Sequence, residues 1–93
     1  MLKKNILIYG ATGSIGESTL NLIRDNKEKF NIVGLTCNEN IHKAIKIANE
    51  FDCKDIGIGN VELINQHKEE LINFRVYEGI EEFYSLVDEN NVD

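Results

Sequence analysis

Three glycines at three-residue spacing, Gly10-Ala11-Thr12-Gly13-Ser14-Ile15-Gly16, stand between a compact β-rich run, Asn5-Ile6-Leu7-Ile8-Tyr9, and a stretch that repeats apolar residues at helical spacing. This feature constrains the fold most, because a strand that turns through glycines straight into a helix is where a dinucleotide fold puts its phosphate loop. Gly10 suits the sharp turn off the strand. Gly13 lets the backbone approach a pyrophosphate where a Cβ would block it, and Gly16 permits close packing of helix on sheet. The spacing is GxxGxxG rather than GxGxxG, a variant that fits NADP-type Rossmann folds. Ser14 followed by Glu17 satisfies the capping-box pattern and predicts a helix that begins at Ser14, with its free N–H groups and dipole aimed at the phosphates. A purely structural glycine turn with a good cap has the same pattern. No Lys follows the glycines, which argues against a nucleoside-triphosphate P-loop.

The rest of the chain alternates short apolar runs with amphipathic stretches, and neither Pro nor a repeat interrupts it. Ile15, Thr19, Leu22 and Ile23 carry the first helix to about Asp25, residues 26–29 form a polar turn, and the second strand covers residues 30–36. In the second helix Ile41, Ala44, Ile45, Ala48 and Phe51 line one face, with His42, Lys43, Lys46, Asn49 and Glu50 on the other. Residues 55–58 read as a third strand. Asn60 then serves as N-cap, with Glu62 in the first turn, of a helix that runs to about Asn73. A fourth strand covers residues 74–77, and Gly79 opens a helix whose Ile80, Phe83, Tyr84 and Val87 form a stripe. Strict alternation predicts an α/β, Rossmann-like parallel sheet of the doubly wound type with right-handed crossovers. The sequence stops at Val92-Asp93, where a fifth strand should begin, so residues 1–93 read as part of one NAD(P)-binding domain, incomplete at its C-terminal end. Catalytic and C-terminal domains are then absent from this chain.

Charge narrows the partners. The net charge is −6; residues 1–50 carry seven Lys/Arg against five Asp/Glu, and residues 51–93 carry three against eleven, which argues against nucleic acid. Glu69, Glu70, Glu81 and Glu82 read as solvated helix surface. No apolar run approaches the roughly 18 residues of a membrane span and no signal peptide precedes the first strand, so a soluble, cytoplasmic protein is expected. Cys37 and Cys53 lack CxxC spacing and read as small buried side chains, while His42 and His67 each read as lone residues in helical segments. No metal ligand and no catalytic residue is expected.

At the end of the second strand a dinucleotide fold meets the adenosine ribose. Thr36-Cys37-Asn38-Glu39-Asn40 occupies that place, and Glu39 follows Gly16 by 23 residues. An acid about 20 residues beyond the loop ordinarily binds ribose hydroxyls and favours NAD. A Glu at a helix N-terminus is equally a companion of the cap.

The run from Ile8 to Gly16, followed by Ser18-Thr19-Leu20, Ile23-Arg24-Asp25-Asn26, the Phe30-opened second strand and the Asn40-led second helix, resembles the opening of the 1-deoxy-D-xylulose 5-phosphate reductoisomerases. GATG alone is shared with semialdehyde dehydrogenases and extended short-chain reductases; the combination is rarer. The resemblance covers most of the chain, strongly to about Phe51. It implies a parent enzyme that isomerises 1-deoxy-D-xylulose 5-phosphate and reduces the product with NADPH to 2-C-methyl-D-erythritol 4-phosphate in isoprenoid precursor synthesis, working as a homodimer with Mg or Mn. By that resemblance Thr12, Gly13, Ser14 and Ile15 match the phosphate-loop contacts, and Asn40 matches the Asn that closes the second cofactor segment. Asn38 and Glu39 stand where relatives often have Gly followed by a basic residue. NADPH preference is still implied, with Asn38, Asn40 and Lys43 or His42 meeting the 2′-phosphate and Glu39 turned to solvent or capping the second helix. The family's metal-binding acids, substrate-phosphate ligands and lid lie beyond residue 93, so this chain alone is expected to be inactive. The alternatives are a GATG-type semialdehyde dehydrogenase, for which neither Cys37 nor Cys53 has the right surroundings, and a non-catalytic nucleotide-sensing module.

Overall fold

A computed structural model of the chain describes residues 3–84. Its elements run β1 (Lys4–Ile8), α1 (Ser14–Arg24), β2 (Phe30–Cys37), α2 (Ile41–Glu50), β3 (Asp55–Ile58), α3 (Glu62–Gln66), β4 (Arg75–Glu78) and α4 (Gly79–Phe83). The four strands form one parallel sheet in the order β1-β2-β3-β4. The predicted alternation is therefore present in a Rossmann-like parallel sheet, and among the described residues β1 and β4 are its edges. The fifth strand and Val87 fall outside the described residues.

Each crossover advances the sheet by one place, and right-handed crossovers of that kind lay their helices on the same face. On that face Ile8, Leu35 and Ile56 share one apolar core with Leu20 and Ile23 of α1 and with Ala44, Ile47 and Ala48 of α2. A bulge maintains this arrangement. Ile6 pairs with Ile32 and Leu7 with Gly34, so Val33 is an extra residue that restores Ile32 and Leu35, three apart, to the same side. The sheet's other face bears Tyr9, Thr36, Gly57 and Tyr77. There Phe83 of α4 stands edge-on to Tyr9 (centroids 5.5 Å apart) and to Tyr77 (5.8 Å). A Cβ on Gly57 would lie 2.9 Å from the Phe83 ring, so the close approach of α4 depends on that glycine.

Two helices differ from expectation. The buried residues of α1 are Gly16, Leu20 and Ile23, whereas Ile15 and Leu22 are 83% and 68% exposed. Contact of Gly16 with the turn below rotates the buried stripe by one position, away from Ile15 and Leu22. The third helix ends at Gln66 instead of Asn73 and is capped at Val61 rather than Asn60. The His67 amide is shared between the carbonyls of Leu63 (3.1 Å) and Ile64 (3.3 Å), a tightening typical of a helix end. Lys68-Glu69-Glu70 then offers nothing apolar to hold further turns to the sheet until Leu71 re-enters the core. In α2, Ile47 joins Ile41, Ala44 and Ala48 as buried, while Ile45 and Phe51 are only partly covered. Cys37 and Cys53 are free and buried, as expected.

Candidate functional site

The glycine loop is held in shape by the neighbouring strand. At Gly10 φ is +66°, a left-handed conformation that glycine adopts without a Cβ penalty. The Gly10 amide donates to Thr36 Oγ1 (2.8 Å) and the Ala11 amide to the Thr36 carbonyl (2.9 Å), so a buried Thr on β2 fixes the exit from β1. The turn closes where the Gly13 amide meets the Gly10 carbonyl at 3.1 Å. Gly16 then sits directly on this turn: a Cβ there would be 2.3 Å from the Gly10 oxygen and 2.8 Å from Ala11 Cα. A Cβ on Gly13 would meet only the Gly10 oxygen, at 3.5 Å, so that position is open outward.

Helix α1 begins one residue earlier than a capping box requires. Gly13, extended at φ −83° and ψ 174°, is the N-cap and makes no side-chain cap bond, so Ser14 is the first helical residue. The Glu17 amide is the first to find a carbonyl one turn back, that of Gly13 (2.9 Å). Among the described residues the amides of Ser14, Ile15 and Gly16, the helix's leading donors at the positive end of its dipole, meet no acceptor. The Glu17 carboxylate does not return to the cap; it lies 3.5 Å from Lys43 Nζ.

That lysine joins the two predicted segments. Lys43 Nζ donates to the Thr12 carbonyl (3.3 Å), while its backbone amide donates to Asn40 Oδ1 (3.3 Å), which caps α2. Lys43 thus links Thr12 of the loop to Asn40 after β2, whereas no hydrogen bond or ion pair joins Gly13, Ser14 or Ile15 to Asn38 or Glu39 among the described residues. Asn38 packs over Gly59, where a Cβ would meet Asn38 Oδ1 at 2.5 Å, and its carbonyl accepts from the Asn60 amide (3.1 Å). Glu39 is exposed, and the cap of α2 is Asn40. A crevice of about 270 Å3 opens at this end of the sheet, lined by Tyr9, Gly10, Thr36, Cys37, Asn38 and Gly59. It lies where open α/β sheets bind ligands, outside the carboxyl ends of the strands. Burial pushes the Cys37 thiol up to about 11, leaving it uncharged in this crevice. Burial, and secondarily Tyr84, also raises the Tyr9 hydroxyl.

The family profile of 1-deoxy-D-xylulose 5-phosphate reductoisomerase matches residues 6–93. The chain belongs to the 1-deoxy-D-xylulose 5-phosphate reductoisomerase family. The reductoisomerase of Clostridium perfringens (strain 13 / Type A) is 36% identical over 94 aligned positions, which take in 97% of this chain and 24% of that enzyme. The reductoisomerase of Zymomonas mobilis, solved in complex with NADPH, superimposes with a TM-score of 0.77 at 31% identity over 95% of this chain and 23% of that one. A further reductoisomerase, solved with NADPH, fosmidomycin and magnesium, gives a TM-score of 0.78 at 28% identity over 97% of this chain and 23% of that chain. The chain thus spans about a fifth to a quarter of the length of the curated reductoisomerases it matches.

Sequence reasoning missed Thr36 and misjudged the histidines. Thr36 reads as an ordinary β-branched strand residue, and nothing local signals that its hydroxyl receives the loop. His42 and His67 are not alone: both reach Glu70, His42 Nε2 at 2.6 Å from one carboxylate oxygen and His67 Nδ1 at 3.1 Å from the other. His42 therefore turns to Glu70 while Lys43 turns to the loop. A period of 3.6 residues separates these neighbours by about 100° around the helix.

Proposed function

We propose that residues 1–93 are part of the NADPH-binding domain of a 1-deoxy-D-xylulose 5-phosphate reductoisomerase, which isomerises and reduces 1-deoxy-D-xylulose 5-phosphate to 2-C-methyl-D-erythritol 4-phosphate. The observation that carries this reading is the joint between the two segments: leading amides at Ser14, Ile15 and Gly16 beside a Lys43 ammonium anchored on Thr12. Helix-terminal amides are the donors a pyrophosphate takes, and a flexible cation beside them suits the 2′-phosphate of the same cofactor. NADPH fits the loop, because Gly13 leaves room for a phosphate and Gly16 seats the helix on the turn. Bound there, the cofactor supplies the hydride, and the chain's own part is to hold and orient it. Thr12, Gly13, Ser14 and Ile15 would face the pyrophosphate; Asn38, Asn40 and Lys43 would meet the 2′-phosphate side, with Glu39 in solvent.

No magnesium step is assigned to this chain. Among the described residues the one group able to hold a metal is His42, His67 and Glu70, two nitrogens and a carboxylate, whereas Mg2+ takes oxygen ligands. By the same reading the parent is a cytoplasmic homodimer; no helix among the described residues is long and apolar enough to cross a membrane.

The test is titration of the chain with NADPH and with NADH, in parallel with Lys43→Met, and with circular dichroism as the control for folding. Saturable binding that favours NADPH and weakens about tenfold or more in the variant is expected, one charge-assisted hydrogen bond being worth roughly 1.5–3 kcal/mol. A folded chain that binds neither cofactor, or binds NADH more tightly, overturns the reading. The purified chain is expected to show no turnover.

A further inference from the structure

Beside α2, three metal-competent side chains converge from two separate segments. His42 lies in the first turn of α2, His67 ends α3, and Glu70 lies three residues further on. Glu70 presents one oxygen to each ring, 2.6 Å from His42 Nε2 and 3.1 Å from His67 Nδ1. The rings meet edge-to-face with centroids 5.2 Å apart, and the three donor atoms all lie within 4.8 Å of one another. We infer that His42, His67 and Glu70 form a binding site for a divalent transition metal of the zinc type, adjacent to the cofactor segments and separate from any magnesium of the parent enzyme.

Chemistry and placement support this. Two imidazoles and one carboxylate are a ligand set that zinc uses in three-residue sites, with water in the fourth position. A tetrahedral ion with bonds of about 2.1 Å holds its ligands roughly 3.4 Å apart, so the widest pair has to close by about an ångström and the 2.6 Å His42–Glu70 pair has to open by nearly as much. The exposed ends can do that: the His42 and Glu70 side chains are 69% and 44% accessible. His67, at 23%, is the fixed member. The backbone around it is already pinned, since the His67 amide bonds to Leu63, the Leu71 amide bonds to the His67 carbonyl (3.1 Å), and Leu71 is in the core. On the other element, the Asn40 cap holds the start of α2. A cation there replaces the ring contacts to Glu70 with coordination and joins α2 to the segment after α3.

The chain has just two His and two Cys, and both Cys are buried, so a site of this kind is simple to assign. The experiment is calorimetric titration of the 93-residue chain with ZnCl2, repeated with Co2+ to read visible d–d absorption, and with Mg2+ as the oxygen-seeking control. One ion per chain is expected, with a Kd on the order of micromolar for three protein ligands, and with the absorption of a four-coordinate Co2+. Zinc at a hundredfold excess over Kd should raise the melting temperature by roughly 10–20 °C, and Mg2+ should not. His42→Ala and Glu70→Gln, both at accessible positions, should each weaken zinc at least about tenfold while the circular dichroism stays unchanged. Zinc uptake that is not saturable at one ion per chain, or that survives His42→Ala, would leave Glu70 as a hydrogen-bonding bridge between two imidazoles and overturn the inference.

Discussion

Gly16→Ala should damage the glycine loop more than any other single methyl group could. The added Cβ would sit 2.3 Å from the Gly10 oxygen and under 3 Å from two backbone atoms of Ala11, and no rotamer change can relieve contact with backbone. The Gly10–Ala11 turn would have to move by about an ångström. Both of its amides are committed to Thr36, at 2.8 and 2.9 Å, so movement weakens two hydrogen bonds worth about 1 kcal/mol each. Overpacking adds roughly 1–3 kcal/mol, and the better helix propensity of Ala returns at most about 1 kcal/mol. The net loss is on the order of 3 kcal/mol, which for a domain of this size lowers the melting temperature by roughly 12–24 °C. Gly13→Val is the contrasting change. Gly13 has an extended backbone and its Cβ position has one neighbour at an ordinary 3.5 Å, so the fold should lose only the roughly 1 kcal/mol that separates Gly from Val at an N-cap, about 4–8 °C in melting temperature, while NADPH binding disappears. Thermal circular dichroism and cofactor titration of both variants decide the matter. If Gly16→Ala melts with the parent chain, or Gly13→Val binds NADPH unchanged, the roles given to the two glycines are wrong.

A carboxylate about 5 Å from a phosphate charge would cost on the order of 3 kcal/mol at an effective dielectric near 20, so Glu39 faces solvent; Glu39→Lys puts a cation within reach of the 2′-phosphate and should strengthen NADPH binding while leaving NADH nearly unaffected, and cofactor titration that finds equal gains for both would place Glu39 elsewhere. Cys37 and Cys53, with thiols pushed up to about 11 by burial, should resist alkylation at pH 8, where about one molecule in a thousand carries the thiolate; mass spectrometry should find both labelled only after denaturation. The Arg24 guanidinium hydrogen-bonds Glu50 and lowers its carboxyl below the ordinary 4.5. Its depressed folded value means that Glu50 contributes stability above pH 4.5 and loses it as the pH falls through the folded value. Arg24→Ala should therefore flatten acid unfolding in that window, and an NMR titration of Glu50 unchanged by the substitution would refute the pairing.

The alternation of elements and the position of the glycine loop beside the end of the second strand were legible in residues 5–58, because each rests on local rules: β-branched runs, glycine spacing and helical period. The sequence also determined that Asn40 opens α2, since an Asn before an amphipathic run satisfies a leading amide through bonds that span only three residues. Tertiary structure decided what lies across the fold. Ser14-x-x-Glu17 reads as a capping box, yet Gly13 takes the cap and Glu17 goes to Lys43, because an ammonium 26 residues away competes for the carboxylate. The buried stripe of α1 turned from Ile15 and Leu22 to Gly16 and Leu20 because contact with the Gly10–Ala11 turn, not hydropathy, chose the face. Thr36 and the triad of His42, His67 and Glu70 carry no sequence signal, since their partners come from segments brought together only when β1, β2 and β3 align. A chain encodes its periodicities locally; which polar groups finally meet depends on how the packed elements align, and that is decided by sums of contacts no short window contains.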